Sequence, residues 1–168
     1  MNDSTRKEEI FPLVNEAGET IGKATRSECH SGSKLLHPVI HLHIFNSEGN
    51  IFLQKRSMNK DIQPGKWDTS VGGHIDYGET VEDALRREVR EELSVTDFIP
   101  EFIISYMFES EIERELINSF RTVYDGNIMV DPVEISEGRF WTKVEIEEAL
   151  GKGIFTTNFE SEYKKLFL

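Results

Sequence analysis

The sequence predicts one α/β domain in which helices pack on a mixed β-sheet. Several segments alternate apolar and polar residues with the two-residue period of a strand, and others repeat apolar residues at helical spacing. The predicted strands outnumber the helices and are partly joined by hairpins, which favours a mixed sheet covered by helices. The length of 168 residues fits a single domain, and no repeat or linker-like stretch divides it. Residues 1–9 are polar, and we expect them to be flexible.

The first part of the chain contains two predicted hairpins. Ile10–Val14 and Thr20–Lys23 flank a polar turn around Gly18 and predict the first of them. His37–Asn46 alternates with the period of a strand, and Ile51–Arg56 returns after a turn that contains glycine and asparagine. These two strands form the second hairpin.

The clearest helix is predicted at Thr80–Ser94. Apolar side chains recur every four residues along it, so this face is expected to pack on the sheet. The row consists of Val81, Leu85, Val89 and Leu93. Thr80 with Asp83 resembles a capping box at the start of the helix.

The second half of the chain contributes three predicted strands and two predicted helices. The strands are Phe102–Phe108, Glu115–Tyr124 and a short last one at Arg139–Thr142. The helices are Glu145–Leu150, which glycines close, and Asn158–Phe167.

Charge and composition exclude several classes of function. The formal net charge of −12 argues against a general nucleic-acid or membrane-surface binder, because both of those partners are anionic. The single cysteine, Cys29, excludes an intrachain disulfide and is typical of a reducing compartment. No segment resembles a signal peptide or approaches the roughly 18 apolar residues of a membrane span. We therefore expect a cytoplasmic protein.

The strongest functional pattern spans residues 73–95, which read GHIDYGETVEDALRREVREELSV. Glu88, Glu91 and Glu92 stand at positions i, i+3 and i+4 of the predicted helix, on a face away from its apolar row. Three carboxylates so close together repel one another unless a cation lies among them. Oxygen ligands suit Mg²⁺, which commonly takes one or two carboxylates together with waters and phosphate oxygens.

An acidic run taken alone is more often a solvated helix face than a metal site. Gly73 and Glu79, however, precede this run at fixed offsets, and that spacing favours the metal site. The segment resembles the Nudix box, in which Gly, five residues, Glu and seven residues precede Arg-Glu-aliphatic-any-Glu-Glu-any-Gly-aliphatic. Eight of its nine specified positions match, and the exception is Ser94 in place of glycine.

The resemblance implies a Nudix fold, which is an α/β/α sandwich, and a hydrolase that cleaves a diphosphate bond in a small molecule. It implies that Mg²⁺, or Mn²⁺ as the alternative ion, activates the attacking water. The implied ligands are the Gly73 carbonyl and the carboxylates of Glu88, Glu91 and Glu92. Many Nudix enzymes dimerise, so a homodimer is expected on this ground alone.

Two further box residues have an implied orienting role. Arg87 and Glu79 are expected to form an ion pair that fixes the loop of the box against its helix. The alternative is an ordinary surface pair, which contributes at most about 1 kcal/mol. The orienting role is the favoured interpretation.

Residues 26–80 also resemble isopentenyl-diphosphate isomerases, which share the Nudix fold. The shared features are Arg26, His30, Leu36-His37, Leu53-Gln54, Arg56, Lys60, Pro64, Trp67 and Gly73-His74, and farther on Glu113 and Glu115. In that family the three histidines and two glutamates bind a metal, and one glutamate is also catalytic. The resemblance therefore implies a second set of metal ligands: His30, His37, His74, Glu113 and Glu115.

The isomerase resemblance breaks at the catalytic cysteine, because Gly72 occupies its position before Gly-His. Glycine cannot supply the protonating thiol, and Cys29 is distant in sequence. We therefore expect an isomerase-like Nudix hydrolase that acts on a nucleoside diphosphate derivative or a similar organic diphosphate. The alternatives are an isopentenyl-diphosphate isomerase-like enzyme and an inactive nucleotide-binding module, against which the intact carboxylates argue.

Several polar residues outside the box remain candidates for the substrate site. Arg26, Arg56 and Lys60 are expected to face the diphosphate, with solubilising surface charge as the alternative. Glu113 and Glu115 stand two apart on a predicted strand, so both can face one side. They are the candidates for the general base, and Glu115 is the residue assigned to catalysis.

The strand His37–Asn46 carries two further histidines, His41 and His43, on one face. Either a transition-metal site or ordinary hydrogen bonding on a half-polar face would account for them. Hydrogen bonding is the expected role.

Overall fold

The computed structural model describes residues 8–60 and 62–168 and contains a mixed sheet with helices on both faces. The strands are β1 (Ile10–Val14), β2 (Thr20–Thr25), β3 (Leu36–Phe45), β4 (Ile51–Arg56), β5 (Trp67–Asp68), β6 (Val71–His74), β7 (Glu101–Glu109), β8 (Arg114–Val123) and β9 (Ile135–Trp141). The helices are α1 (Arg26–Cys29), α2 (Val81–Leu93), α3 (Lys143–Ala149) and α4 (Thr157–Phe167). Residues 1–7, and with them most of the segment predicted to be flexible, lie outside the described residues.

The main sheet is built around β3, a ten-residue strand. Strand β8 runs parallel to β3 from the pair Leu36–Arg114 to the pair Phe45–Val123. Its other neighbours, β4 and β6, are antiparallel to it, and β7 is antiparallel to β8. Strands β5 and β9 both pair with β4, while β1 and β2 form a separate hairpin. A parallel pair among antiparallel pairs makes the sheet mixed, as predicted.

Two apolar layers lie on opposite faces of the sheet because side chains alternate along its strands. Ile40, Leu42 and Ile44 of β3 are fully buried and pack with the apolar face of α2. On the other face Leu53 of β4 packs in a cluster with residues of α3 and α4, among them Phe159. Burial of each such side chain contributes about 1.5–3 kcal/mol. The predicted α/β/α sandwich is confirmed.

Most predicted elements are present within two residues of their predicted ends, but three short ones were not predicted. Strand β6 contains Gly72 and Gly73, so it lacks the alternating apolar side chains that mark a strand. Strand β5 has only two residues and α1 only four. Strand β9 begins at Ile135, earlier than predicted. Among the described residues, no helix is long and apolar enough to cross a membrane.

Helix α2 ends at Ser94, which adopts a left-handed conformation with φ 55° and ψ 33°. The amide of Ser94 donates to the Arg90 carbonyl at 3.0 Å, so the helix closes normally. A non-glycine residue in this conformation costs roughly 1–2 kcal/mol. Serine in place of the glycine of the box therefore leaves the ending of the helix unchanged and adds a local cost.

Replacing Ser94 by glycine should raise the free energy of unfolding by about 0.5–1 kcal/mol, because glycine adopts the left-handed conformation without strain but is freer in the unfolded chain. Urea denaturation of the two proteins measures the difference. Ser94→Ala is the matched control, since it keeps the strain and should not stabilise. Equal stability of the glycine and alanine variants would contradict the explanation.

Candidate active site

The guanidinium of Arg87 ties the loop after β6 to helix α2. Its Nε and Nη2 donate to the two carboxylate oxygens of Glu79, both at 2.8 Å, and Nη2 also donates to the His74 carbonyl at 3.1 Å. These hydrogen bonds hold the pKa of Glu79 below its usual value. The amide of Asp76 donates to the same carboxylate at 2.9 Å. A two-pronged pair of this kind fixes orientation as well as distance.

The three carboxylates of the acidic run have different surroundings. Glu92 accepts a hydrogen bond from Gln54 Nε2 at 3.1 Å, and Glu88 accepts one from Arg87 Nη1 at 2.9 Å. Burial raises the pKa of Glu88 to about 7 and the pKa of Glu92 to about 8. The Glu91 side chain is 55% exposed and lies 3.5 Å from Arg87. Glu88 and Glu92 therefore form the inner pair, and Glu91 lies at the rim.

Gly73 lies directly against the carboxylate of Glu88. A Cβ atom at this position would be 2.3 Å from Glu88 Cδ, which is far closer than two such atoms can approach. The glycine is required here because any side chain would displace the carboxylate. Because Gly73 has no side chain, the backbone of β6 lies directly against the Glu88 carboxylate of α2.

A second group of ligand atoms gathers on the other side of β6. His30 follows α1, His37 is the second residue of β3, His74 ends β6 and Glu113 precedes β8. The ligand atoms of these four residues all lie within 4.8 Å of one another. The Nε2 atom of His30 is 3.2 Å from His74 Nε2 and 3.1 Å from Glu113 Oε2. Glu115 Oε1 lies 4.0 Å from both His37 Nε2 and His74 Nε2.

The chemistry of this histidine group fits a divalent cation. Nδ1 of His37 lies 2.9 Å from the Leu35 carbonyl, so it carries the proton, and its buried Nε2 faces the group without a hydrogen-bond partner among the described residues. Such a backbone contact is how metal-ligating histidines are commonly oriented. Burial lowers the pKa of His37 and of His74, which favours the neutral, ligating form. Among the described residues, the three box carboxylates do not converge as tightly as this group.

Three comparisons with known proteins agree with the resemblance to the Nudix box. The NUDIX domain family model matches residues 35–159. An uncharacterised Nudix hydrolase of Listeria monocytogenes is 34% identical over 154 residues, which cover 90% of each chain. The chain belongs to the Nudix family. An isopentenyl-diphosphate Delta-isomerase of Mycolicibacterium vanbaalenii is 36% identical over 135 residues, covering 77% of this chain and 75% of the isomerase.

The fold agrees with that assignment. The crystal structure of a protein from Deinococcus radiodurans superposes on this Nudix protein with a TM-score of 0.82 and 26% identity, covering 95% of this chain and 100% of the other. The two resemblances found in the sequence, to Nudix hydrolases and to the isomerases that share their fold, are thus both confirmed. As a Nudix hydrolase the protein is an enzyme that acts on pyrophosphate bonds.

The basic residues expected to face a diphosphate all have carboxylate partners in this Nudix protein. Arg26 lies 2.5 Å from Glu9, Arg56 lies 3.5 Å from Asp68, and Lys60 pairs with Glu134. Burial lowers the pKa of Lys60. A substrate diphosphate would therefore compete with these carboxylates for the basic side chains.

Two residues near the Nudix box were not assigned a role from the sequence. Gln54 is buried and donates to both Glu92 and the Ser70 carbonyl, which holds Glu92 in place. Asp68 pairs with Gln54 across β4 and β5 and adds a further carboxylate near Glu92. The isomerase resemblance includes Gln54, but neither the spacing nor the composition of the sequence distinguishes Asp68 from a surface residue.

The stability of the metal-free Nudix protein should fall as the pH rises from about 5 to about 8. Glu88 and Glu92 have folded pKa values of about 7 and 8, above the usual 4.5, so in this window the unfolded chain has already lost protons that the folded protein retains. Chemical denaturation across this window measures the slope, and each unit of pKa shift corresponds to about 1.4 kcal/mol.

The double variant Glu88→Gln/Glu92→Gln is the control for this pH dependence. Because it lacks both carboxylates, its stability should fall less steeply with pH, and the remainder then comes from other groups such as Glu115, whose burial also raises its pKa. Millimolar Mg²⁺ should flatten the wild-type slope by stabilising the ionised carboxylates. Identical slopes for both proteins would refute the assignment of these pKa values.

Proposed function

We propose that the protein uses Mg²⁺ to hydrolyse a diphosphate bond in a nucleoside diphosphate derivative or a similar organic diphosphate. The observation that carries the proposal is the contact between Gly73 and Glu88 beside half-buried Glu92. Two carboxylates with raised pKa values and little room around them are a poor arrangement for the isolated protein. They are a suitable arrangement for a hard divalent ion that also binds phosphate oxygens.

The roles of the surrounding residues follow from their contacts. When bound, the ion would neutralise charge on the phosphates and lower the pKa of the attacking water. Glu88, Glu92 and the Gly73 carbonyl would hold it, with Glu91 reaching in from the rim. Arg87 and Glu79 position the loop, and Gln54 orients Glu92. Arg26, Arg56 and Lys60 would bind the substrate phosphates after exchanging their carboxylate partners.

The histidine group would hold a second divalent ion. Its donors are three imidazole nitrogens and the Glu113 carboxylate, with the Glu115 carboxylate 4.0 Å from two of the imidazoles. This set suits Mn²⁺ or another transition metal better than Mg²⁺. Glu115 is the proposed general base. Burial raises its pKa to about 8, so a nearby cation would be needed to keep it ionised at neutral pH.

One of the two organic groups that flank the diphosphate has a candidate site close to Glu113. A cavity of about 310 Å³ opens there between the β7–β8 turn and the start of α4, and its lining includes Phe108, Ile112, Thr157 and Asn158. Ligand pockets commonly begin at about 300 Å³. The mixture of apolar and polar lining suits a sugar or base. A cytoplasmic location and a homodimer remain predictions from the sequence.

Isomerisation of isopentenyl diphosphate is the second candidate function, because the isomerase relative is as similar as the hydrolase relative. The site has the histidine group and Glu115 in common with that reaction. It lacks the thiol, since Gly72 pairs with His41 at the position where the resemblance predicts cysteine. Hydrolysis needs only the activated water, and the carboxylates for it are present.

Glu92→Gln should lower kcat by about 100-fold or more, because it removes an ionic ligand while keeping the hydrogen bond to Gln54. Phosphate release from a panel of nucleoside diphosphate derivatives with Mg²⁺ gives the rate. Glu82→Gln, an exposed substitution in the same helix, is the matched control and should leave the rate unchanged. A Glu92→Gln protein that melts normally and turns over at the wild-type rate would sink the proposal.

No dimethylallyl diphosphate should form from isopentenyl diphosphate with Mg²⁺ or Mn²⁺ present. The reaction protonates an alkene on one side and removes a proton from the other, so it needs an acid and a base. Glu115 can serve one side, but Gly72 has no titratable group for the other. Product formation that Glu115→Gln abolishes would make isomerisation the primary function.

A further inference from the structure

A buried polar network lies beneath α4 and shares no residue with the two groups of metal ligands. The Glu162 carboxylate of α4 lies 2.9 Å from His41 Nδ1 and 2.9 Å from His43 Nε2, and it accepts a hydrogen bond from the Tyr106 hydroxyl at 2.9 Å. The Glu162 side chain is fully buried. The network therefore joins the central strand, the edge strand β7 and the last helix through one carboxylate.

A buried carboxylate needs a neighbouring positive charge, and His41 supplies it. Burial alone would lower the pKa of His41, but the Glu162 carboxylate outweighs that effect and raises the pKa to about 9. His43 is fully buried, and its Nδ1 has no hydrogen-bond partner among the described residues. The positive charge that balances Glu162 is therefore assigned to His41.

The free edge of the His41 ring lies against Gly72. A Cβ atom on Gly72 would be 3.5 Å from His41 Cδ2 and 3.8 Å from His41 Nε2. Gly72 is itself exposed, and the His41 side chain is 13% exposed whereas that of His43 is buried. Because position 72 has no side chain, the Nε2–H edge of His41 is uncovered on the side where Gly72 meets solvent.

That uncovered edge faces the same side of the sheet as the histidine group. His41 pairs with Gly72 across β6, and His37 pairs with Glu115 across β8, with His37 and His41 on one face of β3. Among the described residues, His41 Nε2 makes no hydrogen bond, although Glu115, His74 and Asp68 lie near enough to interact with its charge. His41 is therefore a positively charged hydrogen-bond donor, held in a fixed position beside the candidate site, whose Nε2–H has no acceptor among the described residues.

We propose that His41, held by Glu162, selects the substrate by donating a hydrogen bond from Nε2 to a polar organic group, such as a sugar or base, that enters beside Gly72. The inference rests on the proposed hydrolysis of organic diphosphates and names the class of organic group. A hydrocarbon chain at this place would leave the donor unpaired and dehydrated, and sites of this kind strongly reject analogues that lack the acceptor. The protein would therefore discriminate against prenyl diphosphates.

The test compares kcat/KM for the four common nucleoside diphosphates and for dimethylallyl diphosphate, with Mg²⁺. We expect the best nucleoside diphosphate to exceed the prenyl compound by about 100-fold in the wild type. The double variant His41→Leu/Glu162→Gln removes the donor and the carboxylate that it balances, and it should reduce this ratio by at least about tenfold. His43→Gln is the matched control, because it changes the same network and leaves the ratio intact.

A second measurement uses the wild-type protein, so it depends neither on the folding of the double variant nor on turnover. In wild-type protein containing ¹⁵N-labelled histidine, ADP with Mg²⁺ should shift the His41 side-chain resonance, whereas dimethylallyl diphosphate should not. The His43→Gln spectrum distinguishes the two network histidines. Hydrolysis with a ratio unaffected by the double variant would overturn the inference and leave the proposed function standing. Failure to hydrolyse any diphosphate would contradict the proposed function. An unshifted His41 resonance in the presence of ADP and Mg²⁺ would then contradict the inference as well.

Discussion

The organisation of the site depends on a strand that has no side chains at two successive positions. Gly72 and Gly73 of β6 face opposite sides of the sheet. On one side the missing Cβ admits Glu88 against the backbone, and on the other it uncovers the edge of His41. Carboxylates and imidazoles can therefore approach one strand from both faces. A side chain at position 73 would displace the Glu88 carboxylate, and one at position 72 would cover the edge of the His41 ring.

A small number of cationic side chains, each held in a fixed position, neutralise part of the negative charge in the site. Arg87 contacts four carboxylates, with Asp76 and Glu79 sharing its Nη2 and Glu88 and Glu91 sharing its Nη1. His41 has the corresponding task beneath α4, where it balances Glu162. Among the described residues, Glu92 and Glu115 form no ion pair with an arginine or a lysine, and burial raises their pKa values. The uncompensated groups are thus the ones from which a metal ion would gain most.

What could be predicted from the sequence was local. Helix α2 has its apolar row and its acidic face within fifteen residues, so spacing alone defines both. Strands β3 and β4 alternate clearly for the same reason. By contrast, Glu162 is an ordinary helix glutamate in the sequence, and only the packing of α4 on the sheet brings it to His41 and His43. Asp68 is brought close to Glu92 by β5, a two-residue strand that is too short to show a periodic sequence pattern. Long-range pairing and glycine-rich backbone carry no periodic signal.

The parallel pairing of β3 with β8 has a consequence for the order of folding. Residues 36–45 and 114–123 become neighbours only after the long intervening chain has been closed, and loop closure of that length makes such pairing slow. His37 meets Glu113 and Glu115 through this pairing, whereas Gly73 and Glu88 are close along the chain. The histidine group therefore assembles late. An ion bound there would slow unfolding and so lengthen the lifetime of the native state, but it would not increase the folding rate.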